Sequence, residues 1–212
     1  MINKKYLNLL RSRKKFKDNK FIYNIIGKRI IDSIDLVKIP FHKILEIGVN
    51  EDEIYNYVKN KFQDSEILRS DLVDVNNLNN NDFEHLKIDL DNFNLNRDSF
   101  DLIYSNIFLH LSSSFENSLA NIYNALKSNG FFIATLPDIE NIYQLVNSMY
   151  KTDLELYNGV YQRINPTIKI ESLLIILKKL NFDMPSVSTE NIIIEYSDFS
   201  KLLNDIRSSN LS

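Results

Sequence analysis

Apolar residues recur along this 212-residue chain at two spacings, one of three to four residues and one of two or fewer. The switching between them predicts its elements. Lys4 to Lys17 is basic and helix-compatible, with Tyr6, Leu9, Leu10 and Phe16 as a thin apolar stripe. Phe21, Ile22, Ile25, Ile26, Ile30, Ile34 and Val37 give a clearer helix, closed by Pro40. The period then shortens. His42 to Gly48 is an apolar run ending in glycine, and Glu51 to Phe62 is a helix with Ile54, Tyr55, Val58 and Phe62 facing inward. Strands are predicted at Glu66–Asp71, His85–Leu90 and Phe100–Ser105. Phe115 to Leu126 is an amphipathic helix, and Gly130 follows where a left-handed cap is expected. Phe131 to Leu136 is apolar throughout, as in a strand buried on both faces. Asn76 to Asn81 reads as a low-complexity turn. Beyond Pro137 the pattern loosens: a helix over Ile139–Tyr150, an irregular stretch over Thr152–Pro166, a helix over Ile170–Leu180, one or two strands in Val187–Tyr196, and a short helix over Phe199–Ile206.

Five strands alternating with helices predict an α/β, Rossmann-like, mostly parallel doubly wound sheet. The chain is expected to be one domain, 1–212. It divides into an N-terminal helical segment (1–40), a cofactor-binding half (41–137) and a substrate-side half (138–212). Composition narrows the class. Hydrophobic residues make up 44% and charged residues 25%, a soluble globular balance. A net charge of −3 provides no field to draw nucleic acid or anionic lipid, so the basic start reads as a solvated helix face. The absence of cysteine excludes disulfides, thiolate metal sites and cysteine nucleophiles, and fits a cytoplasmic protein. No apolar run is long enough to span a bilayer. His42 and His85 have no metal-ligand partners near them in sequence, so no metal is assigned.

In such sheets ligands sit beyond the carboxyl ends of the strands. The first of these loops carries Glu46, Gly48, Asn50 and Asp52, and its glycine either brings backbone close to a cofactor or simply turns the chain. Asp71 ends the second strand about twenty residues later, where a carboxylate accepts ribose hydroxyls; Asp74 is the alternative. Asp89 either accepts from an adenine amino group or caps the next turn. Ser105 closes the fourth strand beside the same edge.

The run Asp98-Ser-Phe-Asp-Leu-Ile-Tyr-Ser-Asn106, with Leu109-His-Leu111 and Leu126-Lys-Ser-Asn-Gly-Phe-Phe132, resembles the "NSFDLV-S--LHW … LKPGG-F" signature of class I S-adenosylmethionine-dependent methyltransferases. Within that superfamily it is similar to the malonyl carrier-protein methyltransferases of biotin synthesis. It is more similar to the respiratory complex I assembly factor five family. Gly159 to Pro166 resembles that family's "GG-SPRI-PF", Leu173 to Ile192 its "LL-RAGF … VDTD-I", and Leu202 to Arg207 its "LM-DLR". Arg11 to Lys15 sits where the family carries a basic helix. The resemblance implies S-adenosylmethionine at Glu46, Gly48, Asn50, Asp71, Asp89 and Ser105.

Two departures stand out. Asn50 and Asp52 occupy the places of the second and third glycines of "E/D-x-G-x-G-x-G". The family's final strand, beside the fifth, has no counterpart before Ser212, which leaves a sheet edge able to pair with another chain or copy. On the acceptor side, His110 is either a base or a packed histidine, and Arg163 either a carboxylate clamp or a solvated loop residue; Tyr104 and Tyr161 line the pocket or the core. Two functions follow. One is a methyltransferase acting on a protein side chain or a carrier-bound acyl group. The other is a non-catalytic or hydroxylase-type assembly factor for a respiratory complex I subunit, with an altered cofactor site.

Overall fold

The computed structural model describes residues 4–11, 20–73, 85–138, 140–161 and 168–209. Asp74, the Asn76–Asn81 turn, Arg13 to Lys15 and Arg163 lie outside them. Two compact units emerge, 1–136 and 137–212.

The first unit is built on a five-stranded, wholly parallel sheet of order β3-β2-β1-β4-β5. The strands are β1 (Lys43–Ile47), β2 (Glu66–Asp71), β3 (His85–Lys87), β4 (Phe100–Asn106) and β5 (Leu126–Thr135). Helices α1 (Lys4–Arg11), α2 (Phe21–Leu36), α3 (Glu53–Lys61) and α4 (Phe115–Ala125) accompany it. The order reverses after β3, so β1 and β4 are neighbours and their carboxyl ends form the crevice where ligands bind in such sheets. The predicted doubly wound α/β arrangement is the one observed.

Alternation along β1 decides which side chains meet which helices. Ile44 joins Leu102 and Tyr104 of β4 in a core completed by Ile30 and Ile34 of α2 and Ile54 and Val58 of α3. Burying each of these aliphatic side chains contributes about 1.5–3 kcal/mol. Gly27 lets α2 approach closely: a Cβ there would lie 3.2 Å from the Asn106 amide and from Ile54. At the amino end of the sheet, Asp101 accepts from the His42 and Lys43 amides and from Lys127, and clips β1 to β4 and β5.

Several local expectations need correcting. β5 begins at Leu126, not Phe131, and pairs with Phe100 before a bulge returns it to register at Leu102–Phe131. The left-handed residue there is Asn129 (φ 66), and Gly130 serves instead for close packing, since a Cβ would come within 2.9 Å of the Lys127 carbonyl. Among the side chains described in α1, Leu7 and Arg11 are buried, while Leu9 is exposed. Among the described residues, no strand pairs with the outer edge of β5.

The second unit holds α5 (Tyr143–Tyr157), α6 (Ile170–Lys179) and α7 (Phe199–Ser209). The first of these runs through residues expected to be irregular and stops at Asn158 in a left-handed conformation. Buried Asp153 accepts from the Tyr161 amide just beyond it. Residues 187–196 form no strand; Ile192 and Ile193 are exposed, Val187, Ile194 and Tyr196 half-buried, and no described strand pairs with them to enforce extension. No described helix is long and apolar enough to cross a membrane.

Candidate cofactor site at the carboxyl ends of the strands

The parallel register sets the first feature of this site. Glu46 lies beside Arg69 of β2 on one side and Tyr104 of β4 on the other, all three on the face covered by α2 and α3. A carboxylate and a guanidinium side by side on a buried face must pair. Arg69 Nε and Nη2 donate to the two Glu46 oxygens, Nη1 reaches Asp52 at 2.9 Å, and Nη2 also reaches the Glu51 carbonyl at 3.0 Å. Tyr55 stacks over the guanidinium at 4.3 Å. Burial drives the Glu46 carboxyl up while the Arg69 charge draws it down. We assign the pair as ionised, because the guanidinium is always protonated and its fork matches both carboxylate oxygens. For Tyr104, burial and then the Glu46 charge hold the phenol protonated.

The first loop follows. Gly48 has φ 92, and a Cβ on it would fall 2.2 Å from Phe108, so only glycine fits on two separate grounds. Its N–H donates to the Ser70 carbonyl at 2.7 Å. Asn50 turns inward, 1% exposed, and its amide donates to the Asn106 and Ile107 carbonyls at the end of β4. Ile107 itself holds φ 46, a rare conformation for a β-branched residue, and its N–H is fixed by the Thr135 carbonyl and hydroxyl. Glu51 folds back on the start of α3 and accepts from the Glu53 and Ile54 amides. Burial, then the neighbouring Glu46 charge, pushes the Glu51 carboxyl up to about 7. Burial also works to raise Asp52, but the hydrogen bond from Arg69 and the charge of Lys20 bring it below the usual carboxylate range. The positions of the second and third family glycines are thus filled by side chains with partners of their own.

Asp71 stands at the carboxyl end of β2, 1% exposed, with its oxygens facing the loop. The Val49 amide donates to Oδ2 at 2.9 Å and the Val73 amide to Oδ1 at 3.3 Å. Arg11 completes the set. Its Nε donates to Oδ1 at 2.8 Å and its Nη2 to Oδ2, while Nη2 also reaches Asn50 Oδ1 at 3.1 Å. The guanidinium lies over the Phe108 ring, 4.5 Å from its centroid, and the residue is 2% exposed. The basic start, expected to be a solvated helix face, is not solvated at Arg11, because the Asp71 carboxylate draws the guanidinium inward. The signal for it is a cation one helical turn after Leu7, on the same face.

Asp89 is exposed and borders a cleft of ≈ 370 Å³ lined by Leu7, Asn8, Leu72, Ile88 and Leu111. That volume is at the lower end of small-molecule sites. Its carboxylate accepts from the Asp91 amide at 3.1 Å, which is the turn-capping alternative. Ser105 is fully buried and donates to the Ile47 carbonyl at 2.8 Å. His110 is half-buried in a 3-10 turn between buried Leu109 and Leu111. Tyr161 belongs to the second unit, exposed and edge-on to Tyr157. The structure therefore brings Gly48, Asn50 and Asp71 together with Arg11, and sets Glu46 apart with Arg69.

Comparison with known proteins gives this arrangement its setting. The family model described as "Methyltransferase domain" matches residues 45–134, the span from β1 to β5. The chain is 32% identical over 109 residues to the mitochondrial arginine-hydroxylase NDUFAF5 of Dictyostelium discoideum, covering 51% of this chain and 25% of that protein. It is 25% identical over 186 residues to the Rattus norvegicus protein of the same name, covering 86% of this chain and 54% of that one. It spans about half the length, or less, of these curated relatives. Among solved structures, the S-adenosylmethionine dependent methyltransferase from Mesorhizobium loti superposes with a TM-score of 0.53 at 16% identity, over 74% of this chain and 82% of that one, a likeness of fold.

Two outcomes follow from the buried charges. Arg69→Met leaves Glu46 buried without its cation and is expected to cost about 3–5 kcal/mol in urea unfolding. Adding Glu46→Gln to it should recover most of that loss; a single-variant cost below about 1 kcal/mol would show that water reaches the pair. For Glu51, the folded-state value lies above the unfolded one, so between about pH 4.5 and about 7 the native state binds more protons and stability falls as pH rises. A shift of this size corresponds to about 3 kcal/mol. Glu51→Gln keeps an acceptor for the helix amides, so it is expected to flatten this decline and to exceed wild type at pH 8. Parallel profiles would contradict the assignment.

Proposed function

We propose that this methyltransferase-like chain, whose fold is that of the class I S-adenosylmethionine-dependent methyltransferases, takes up S-adenosylmethionine across the ends of β1 and β2 and the segment after β3. The observation that carries the reading is Asp71: a carboxylate at the tip of β2, anchored by the Val49 amide directly after the Gly48 turn. In this reading Asp71 receives the ribose diol, Gly48 provides close backbone approach, and the cleft beside Asp89 takes the adenine. These residues fit an adenosyl group in type and position once Arg11 releases Asp71. The bound cofactor supplies a methyl group on a sulfonium, so the protein's task is mainly alignment of an acceptor. His110 is assigned to the acceptor side, Arg163 is proposed from the sequence alone as a carboxylate clamp, and the acceptor is a protein side chain or a carrier-bound acyl group. A cysteine-free chain suits the cytoplasm, although the relatives are named mitochondrial.

A second reading has its own support. The glycine loop satisfies its polar groups from within, through Asn50, Glu51 and Arg69, as a fold kept for assembly rather than chemistry would. The relatives named arginine-hydroxylase add a hydroxylase-type variant, with a respiratory complex I subunit as the partner. Titration calorimetry with S-adenosylhomocysteine separates the two. Micromolar to millimolar binding, weakened at least tenfold by Asp71→Asn and by Asp89→Asn in samples with intact thermal transitions, is the expected result. No heat from wild type and from a variant lacking the Arg11 side chain would leave the assembly reading.

A further inference from the structure

We propose that α1 is an autoinhibitory strap, in which the Arg11 fork holds the two Asp71 lone pairs that a ribose diol needs, so that docking of α1 and binding of an adenosyl ligand exclude each other. This inference rests on the adenosyl-site reading of Asp71 given above.

A carboxylate offers about four acceptor sites. On Asp71 two are taken by the Val49 and Val73 amides, which belong to the loop and stay with it. The other two are taken by Arg11 Nε and Nη2. A ribose diol presents two O–H donors on adjacent carbons, and the guanidinium edge presents two N–H donors in a similar fork. They compete for the same two oxygens. Asn50, the next polar group along the loop, has its amide committed to the end of β4 and its carbonyl oxygen to Arg11. Phe108, which closes over Gly48, carries the guanidinium on its ring.

The strap is built to be displaced. It is eight residues long, too short to be stable as an isolated helix. Among the side chains described in it, Leu7 and Arg11 are the buried ones. Leu7 and Asn8 also wall the cleft beside Asp89, so release of α1 frees the diol-binding carboxylate and widens the adenine end in one movement. A ligand whose competent state is a minor population binds with its affinity reduced by that fraction, and removing the competitor restores it.

The test uses the full chain and S-adenosylhomocysteine. Calorimetry on wild type and Arg11→Gln should show binding at least tenfold tighter in the variant, including the case in which only the variant binds. Leu7→Ala, which loosens α1 without touching the polar contacts, should shift affinity the same way by a smaller factor. Amide exchange over residues 4–11 of wild type provides a readout independent of any variant's folding: saturating ligand should speed it. Equal or weaker binding by a folded Arg11→Gln protein, or slower exchange in α1 on ligand addition, would overturn the strap while leaving the site in place. No binding by folded Arg11→Gln at millimolar ligand would remove the adenosyl site itself, and the strap with it.

Discussion

Among the described residues of the first unit two guanidinium groups are almost completely buried, and the arrangement at the carboxyl ends of its strands follows from the need to neutralise them. A buried ion pair gains little net stability, but either partner left alone costs several kcal/mol. Arg69 and Arg11 therefore fix the carboxylates around them. Arg69 holds Glu46 within the sheet face and Asp52 at the start of α3, and Arg11 holds Asp71 at the tip of β2. Between them, Asn50 bridges the first loop to the end of β4. Each of these groups is answered by another.

That saturation changes how the altered glycine loop is understood. Replacing glycines in such a loop looks like erosion, because side chains crowd a cofactor. Here Asn50 and Asp52 also do positive work: one ties loop to strand, the other shares Arg69. The loop has exchanged backbone amides open to a ligand for side chains paired to the fold, with Glu51 covering the first amides of α3. What remains addressable is Asp71, through a partner arriving from a short helix, and the cleft beside Asp89. In the strap proposal, affinity at this edge is set by how firmly α1 is held rather than by the loop alone.

The parallel sheet was legible from sequence because its strands are apolar runs that end in Gly48, Asp71 and Ser105, and because the intervening helices keep their 3.6-residue spacing. The start of β5 was not legible. Lys127-Ser128-Asn129-Gly130 has the composition of a turn, and only pairing with Phe100 across a bulge makes it strand. Residues 187–196 illustrate the reverse: their apolar character suggests a strand, but extension needs a neighbour to bond with. At the site, Gly48 and Asp71 could be named from spacing along one chain segment. Arg11 could not, since it meets Asp71 across 60 residues and sequence gives no distance. Arg69 left a fainter trace, a charge inside an apolar strand opposite Glu46.

The central claim is that Arg11 and Arg69 are sequestered on carboxylates at this edge. Proton–nitrogen NMR of arginine Nε–H groups at neutral pH tests it most directly. The account predicts two Nε–H resonances strongly protected from solvent exchange, one of which disappears in Arg11→Lys and the other in Arg69→Lys. If the Arg11 resonance exchanged as rapidly as those of surface arginines while the Arg69 resonance stayed protected, Asp71 would be open in solution and the account of this edge would be wrong.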